Sequence, residues 1–236
     1  IAHLSVEGSR FHGGYQGHLL KSRARRSEIR YNLLIDGKDG QASYELEFPE
    51  GGVAVVVGNV IGQGADSANP TVLAYGAEGS HWPENRLLLT HNTLISEGWR
   101  PALFARTWGD RLPADTRFVV RNNLTVGLGL FTLGLPGWHQ GNHALPPGAL
   151  DPAQGDLTLA EDSLLRGRVS PPPEAGLRPT AEFRFPVGTV PLVVPTRWVP
   201  GAFQRPATML PGRPAAPGAA GWRAGLPVAL TGVASP

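Results

Sequence analysis

The sequence predicts an all-β solenoid of stacked parallel coils. A run of aliphatic and β-branched residues meeting an asparagine recurs four times, as Ile29-Arg30-Tyr31-Asn32-Leu33-Leu34, Val55-Val56-Val57-Gly58-Asn59-Val60-Ile61, Leu87-Leu88-Leu89-Thr90-His91-Asn92-Thr93-Leu94 and Phe118-Val119-Val120-Arg121-Asn122-Asn123-Leu124. The asparagines stand 27, 33 and 31 residues apart, and a degenerate copy over residues 4–11 puts Ser9 another 23 residues before Asn32. The composition agrees, because 31 Gly and 23 Pro in 236 residues supply many turns and few helices. A repeat of this length, made of short strands and turns, cannot bury an apolar face alone and stacks on its neighbours.

Between the asparagine phrases lies a second set of strand-like segments, residues 17–23, 42–48, 71–75 and 101–106, separated by Gly-rich turns such as Asp36-Gly37-Lys38-Asp39-Gly40 and Gly62-Gln63-Gly64. No two-residue hairpin signal joins matched strands, so parallel stacking is favoured over an antiparallel meander. In residues 42–48, Ala42, Tyr44, Leu46 and Phe48 alternate with Ser43, Glu45 and Glu47, which predicts an apolar inner face and a polar outer one. The pattern loosens through Trp138-His139-Gln140-Gly141-Asn142-His143. Coils are therefore expected over 1–165, an irregular cap over 166–204, and a disordered Pro/Ala/Gly-rich tail over 205–236. Because the chain opens on Ile1 within a repeat, the expectation is a C-terminal portion whose earlier coils and signal peptide lie upstream.

The formal net charge is +2, yet the last 32 residues hold three arginines and no acid; without them 18 basic face 19 acidic residues, a charge of −1. This balance argues against a nucleic-acid partner. No apolar run approaches the roughly 20 residues of a membrane-spanning helix. The absence of cysteine excludes disulfides and thiolate metal sites and suits a cytosolic or a bacterial envelope protein.

An inward asparagine at the same place in every coil can bond backbone groups at a bend and pass the interaction onward as a ladder. On these phrases, Tyr31-Asn32, Gly58-Asn59-Val60-Ile61, His91-Asn92-Thr93 and Asn122-Asn123-Leu124, the chain resembles the right-handed parallel β-helix superfamily that includes pectate lyases and other polysaccharide-active proteins, over roughly residues 1–204. The segments Gly17-His18-Leu19-Leu20-Lys21-Ser22-Arg23, Ala42-Ser43-Tyr44-Glu45 and Tyr75-Gly76-Ala77-Glu78-Gly79 look like a bacterial branch of it. The resemblance implies a secreted or periplasmic protein that acts on or binds polysaccharide. The fold alone leaves lyase, hydrolase and adhesin open, because one fold hosts all of them; the expected function is a lyase that cleaves a uronate-containing polymer by β-elimination, with a non-catalytic carbohydrate-binding or surface-adhesion solenoid, or a glycoside hydrolase using paired carboxylates, as the alternatives.

The residues themselves suggest where to look. His18, Lys21 and Arg23 lie in a basic stretch, and a 24-residue repeat would set Glu45 beside Lys21 and Glu47 beside Arg23 as a charged outer stripe. Such a stripe suits a uronate-containing polymer, with His18, Lys21 or Arg23 as base or carboxylate clamp and Tyr44 as proton donor for β-elimination. The same residues also read as a plain cross-strand salt-bridge ladder. Glu45, Glu47, Glu78, Trp82 and Arg106 are candidate substrate contacts, and Glu45 with Glu47 are candidate paired carboxylates for glycoside hydrolysis. His91 reads as a neighbour of the ladder rather than a ligand, and His139 with His143 lack the helix a His-x3-His zinc site uses. Asp36, Asp39 and Asp66 form no dense calcium-ligand motif, so no metal site is assigned and the cofactor is unknown. The expected partner is an acidic polysaccharide or oligosaccharide.

Overall fold

A two-residue corner sets the repeat. The first residue of each corner is left-handed: Gly8, Tyr31, Gly58, His91, Asn122 and Gly141 have φ between 50° and 69°. Glycine enters this region freely, whereas Tyr31, His91 and Asn122 do so at a cost of about 1–2 kcal/mol each. The second residue of each corner is Ser9, Asn32, Asn59, Asn92, Asn123 or Asn142, and it opens the next strand.

The computed structural model describes residues 1–133 and 138–206. Each coil contributes three strands: β1 (His3–Glu7), β2 (Arg10–Phe11) and β3 (His18–Lys21); β4 (Arg26–Arg30), β5 (Leu33–Ile35) and β6 (Tyr44–Phe48); β7 (Val53–Val57), β8 (Val60–Gln63) and β9 (Thr71–Tyr75); β10 (Arg86–Thr90), β11 (Thr93–Ser96) and β12 (Ala102–Thr107); β13 (Arg117–Arg121), β14 (Leu124–Val126) and β15 (Gly129–Leu133). Two strands of a further coil follow, β16 (Trp138–Gln140) and β17 (His143–Leu145). They stack into three parallel sheets, ordered β1-β4-β7-β10-β13-β16 (sheet 1), β2-β5-β8-β11-β14-β17 (sheet 2) and β3-β6-β9-β12-β15 (sheet 3). The fold is a parallel β-helix, as the recurrence predicts. Among the described residues no helix is long and apolar enough to cross a membrane.

The predicted asparagine column is present. Each ladder Oδ1 accepts two bonds from the coil before it, from the backbone N–H and the side-chain amide of the preceding asparagine: Asn32 onto Asn59 at 2.9 and 3.0 Å, Asn59 onto Asn92 at 3.0 and 3.0 Å, Asn92 onto Asn123 at 2.9 and 3.0 Å. Each amide also donates to a backbone carbonyl one coil back, as Asn59 does to Ile29 at 2.8 Å and Asn92 to Val56 at 2.9 Å. Ser9 joins only through its backbone N–H, which donates to Asn32. The column runs one step further than the sequence pattern suggests, because Asn123 bonds Asn142 in the same way. That coil is only 19 residues long, well short of the other intervals.

Inside the tube, Ile29, Leu34, Leu46, Phe48, Val56, Ile61, Leu73, Leu87, Leu89 and Phe104 form the main core. Alternation along a strand sends the intervening residues outward, and on sheets 1 and 2 these too are apolar and covered. The cover is the C-terminal segment. Leu177 and Ala181 lie on Tyr31, Val53, Val55 and Val57 of sheet 1 and its corner. Leu157, Leu159, Phe183, Val199, Ala202 and Phe203 lie on Leu33, Val60, Ile95, Leu124 and Val126 of sheet 2.

Polar contacts hold the segment down the seam between the two sheets. Asn122 donates to Ser170 O, Thr90 to Leu177 O at 2.8 Å, and Thr180 N–H to the Tyr31 hydroxyl at 3.0 Å. The chain returns so that Ala202 N–H donates to Thr93 Oγ1 at 3.0 Å. Residues 166–204, where an irregular cap is expected, thus run along the flank of the coils, with one antiparallel pair, β18 (Ala181–Phe183) and β19 (Thr189–Pro191). The expected tail lies, from 207 onward, outside the described residues.

Cutting the ladder in its middle strands several buried groups at once, at about 1–3 kcal/mol for each one left unpaired. Asn92→Ala is therefore expected to destabilise the fold by several kcal/mol in chemical denaturation, while Ser9→Ala, which keeps its backbone bond, shifts stability by less than about 0.5 kcal/mol.

His91 provides a pH-dependent tether. It is fully buried at its corner, accepts a bond at Nε2 from the Asn122 amide at 2.9 Å, and packs against Trp198 of the returning segment. Burial pulls its pKa down to about 4, against smaller upward pulls from the Gly201 and Val199 backbone. The neutral form is the folded form, so this stability is complete above the ordinary histidine value of about 6.5 and is lost as pH falls toward about 4. Unfolding titrations at pH 7 and 4.5 should differ by roughly 2 kcal/mol on this account. His91→Asn, which tolerates the left-handed corner, should lack that component of the slope.

Candidate functional site

Among the described residues, the apolar contacts of the C-terminal segment fall on sheets 1 and 2 and not on sheet 3. In β3, Leu19 and Leu20 both pack against the inner core, which leaves His18 and Lys21 at the outer surface. The cross-coil register is 26 residues: His18 pairs with Tyr44, Leu20 with Leu46 and Lys21 with Glu47. The expected offset of 24, which set Lys21 beside Glu45 and Arg23 beside Glu47, is corrected by two residues. Lys21 Nζ lies 3.0 Å from Glu47 Oε2, and His18 Nε2 lies 3.1 Å from the same oxygen.

Arg23 stands in the corner beyond β3, and there the turns of two later coils stack above it. Glu78 N–H donates to Pro49 O at 2.8 Å, which seats the turn after β9 on the turn after β6 and brings Glu78 and Glu50 to the same guanidinium. Arg23 Nε is 3.1 Å from Glu50, and its Nη2 donates to both oxygens of Glu78 at 2.7 Å. Lys21 Nζ reaches Glu78 Oε1 at 3.0 Å and so joins the sheet column to the corner column. The structure thus gathers His18, Lys21, Arg23, Tyr44, Glu47 and Glu78 into one cluster and adds Glu50, which the strand pattern did not single out because it lies in a turn.

Glu45 is not in that cluster. It is fully buried, neither carboxylate oxygen finds a donor on a neighbouring residue, and Leu46 and Phe48 of the same strand belong to the core. The strict two-residue alternation read from the sequence fails here. Since Leu46 pairs with Leu73, Glu45 falls level with the core residue Val72. The two glutamates therefore form no outward carboxylate pair. Trp82 is half-buried with its indole N–H enclosed and unbonded, and its edge lies on the Gly52 turn rather than standing free in solvent. Arg106 is carried two coils beyond Glu47, with the small Ala74 between them, a gap of about 10 Å at the parallel-strand spacing. Its guanidinium lies 4.4 Å over the Trp108 ring, with no carboxylate in ion-pair range among the described residues.

The electrostatics separate the roles. Burial lowers the Lys21 pKa, but hydrogen bonds to Glu47 and Glu78 outweigh it and leave the ammonium above its ordinary value, so Lys21 is a fixed cation rather than a base. Hydrogen bonds from Arg23 and then Lys21 hold the Glu78 carboxyl below its usual range. Burial pulls the His18 pKa down despite the opposing charge of Glu47, so the ring is neutral at neutral pH. Its Nδ1 is buried without a bonding partner. Burial, then the Glu47 charge, raises the Tyr44 phenol, which stacks on His18 at 5.2 Å and 14°.

Other sequence candidates stay apart. Asp36 is committed to structure, accepting from Gly14 N–H and from Ala42 N–H. No group of three or more His, Asp and Glu among the described residues is arranged to hold a metal ion. The chain matches no protein-family model, no curated protein and no solved structure.

The buried Glu45 carries a testable cost. Desolvation raises its pKa well above the ordinary value, with Asp36 adding to the rise, so the folded state keeps it protonated. Stability from this group is complete below the unfolded pKa and falls as pH rises toward the folded one, by as much as about 1.4 kcal/mol per pH unit. Glu45→Met should be more stable than the parent, with a margin that widens between pH 4 and pH 8 in thermal unfolding.

Proposed function

We propose that the protein binds an acidic polysaccharide or oligosaccharide along the outer face of sheet 3, as a carbohydrate-binding member of the pectate-lyase-like group of β-helices. The observation that carries this reading is the division of the walls: apolar residues on the outer faces of sheets 1 and 2 lie under the C-terminal segment, while on sheet 3 the charged and aromatic side chains His18, Lys21, Tyr44 and Arg106 stay partly exposed. A chain of uronates laid across the coils meets Arg106 as its unpaired cation, Trp108 beneath that cation, and the Tyr44–His18 stack further along. Lys21 and Arg23 come already paired. A substrate carboxylate reaches them only by displacing Glu78, the most accessible acid of the cluster among their partners at 44% exposure apart from the backbone turn that holds it.

The pairing also favours binding over cleavage. β-Elimination needs a base with an accessible lone pair, and here Lys21 is held protonated, while neutral His18 turns one nitrogen to Glu47 and the other into the protein. A second reading, a lyase, draws on one specific observation: a neutral imidazole stacked on a protonated phenol is a base–acid pair once the ring is turned outward.

Titration with polygalacturonate, alginate and a neutral glucan distinguishes these readings. Binding of an acidic polymer, weakened by salt and reduced about 10-fold or more by Arg106→Ala, is the expected result, since a charge-assisted hydrogen bond contributes about 1.5–3 kcal/mol. Equal affinity for the neutral glucan, or no affinity for any polymer, would overturn it. Ultraviolet absorbance from an unsaturated product, abolished by His18→Ala, would establish the lyase instead.

A further inference from the structure

A cavity lies over sheet 2 and the loops that follow it, where residues 152–157 and Phe185 do not close onto the coils. It is a cavity of about 660 Å³, within the usual size of small-molecule sites, between the first coils of sheet 2 and the loop around residues 152–157. The register explains its lining. Arg10 pairs with Leu33 and Phe11 with Leu34; Phe11 and Leu34 turn to the inner core, so Arg10 and His12 stand outward beside Leu33 and Ile35. Gly13 N–H donates to Asp36 O at 3.0 Å, which brings the turn bearing Lys38 against His12.

Three basic side chains thus converge on one end of the cavity, all exposed, and none has an ion-pair or hydrogen-bond partner among the described residues. The acid that lines this end of the cavity, Asp36, is buried and spent on two backbone N–H groups. The floor is apolar, formed by Leu33, Ile35, Leu157 and Phe185. Glu97 stands at the far end, three coils beyond Arg10 or about 14 Å along the solenoid axis, and repels a second negative charge there.

We propose that this cavity binds a small organic anion with an apolar body, its carboxylate or phosphate held by Arg10, His12 and Lys38 and its body lying on the apolar floor toward Glu97. The site shares no residue with the polysaccharide face.

Calorimetric titration with octanoate, octyl phosphate and octyltrimethylammonium tests it. Saturable binding of either anion with none of the cation supports the proposal, and the preferred anion identifies the head group. Arg10→Ala combined with Lys38→Ala, both at exposed positions, should weaken the anion about 10-fold or more, and Phe185→Ala should weaken it while retaining the preference for negative charge. Binding of the cation as tight as that of the anions, unchanged affinity in the double variant, or no binding of either anion would overturn it.

Discussion

The structure depends on one constraint: a chain that turns a corner in two residues leaves backbone groups pointing into a dry interior, and something must bond them. The side-chain amide of asparagine meets the requirement because it carries an acceptor and two donors on a short stem. In each coil Oδ1 takes the N–H of the preceding corner while Nδ2 reaches a carbonyl of the preceding strand and the next amide in the column. The bonds run along the axis, so each coil is held at the spacing that parallel strands need, and coil length is left free between corners. That freedom accommodates both the 33-residue step from Asn59 to Asn92 and the 19-residue step to Asn142.

The left-handed residue before each ladder asparagine decides which side chains the seam presents. Tyr31 leans over Gly58, where an added Cβ would come within 2.6 Å of its ring, and Asn122 leans over Gly141 in the same way. At these two corners the large residue stands over a glycine of the next coil, whereas His91 meets Asn122 there and bonds it through its ring. The large residues are also the ones that engage the C-terminal segment, Tyr31 through Thr180, His91 against Trp198 and Asn122 through Ser170. Local strain at the corner and attachment of the segment therefore share the same residues.

That attachment distributes chemistry around the tube. Where the segment lies, apolar residues point outward and are covered; where it is absent, outward positions hold ions and aromatic rings. Within the charged cluster, buried Glu47 serves both Lys21 and His18, while Glu78 and Glu50 share Arg23. Such a network binds its own cations firmly, which is why the unpaired Arg106, rather than the densest part of the cluster, is the natural contact for an incoming carboxylate.

The sequence by itself determined the class of fold, two sets of short strands in the first four coils, and the asparagine column from Asn32 to Asn123, because periodic apolar runs and a recurring buried amide are properties of local spacing. It also brought His18, Lys21, Tyr44, Glu47 and Glu78 under consideration, since charge on a strand is visible in one dimension. Only the tertiary structure decided the register, because turn length rather than strand pattern sets how many residues separate stacked neighbours, and a shift from 24 to 26 moved Lys21 onto Glu47. It decided the fate of Glu45, whose place beside Val72 is a property of the neighbouring coil and not of its own strand. It decided as well which walls the segment covers, for the path of residues 166–204 is fixed by contacts with coils more than a hundred residues away in the chain.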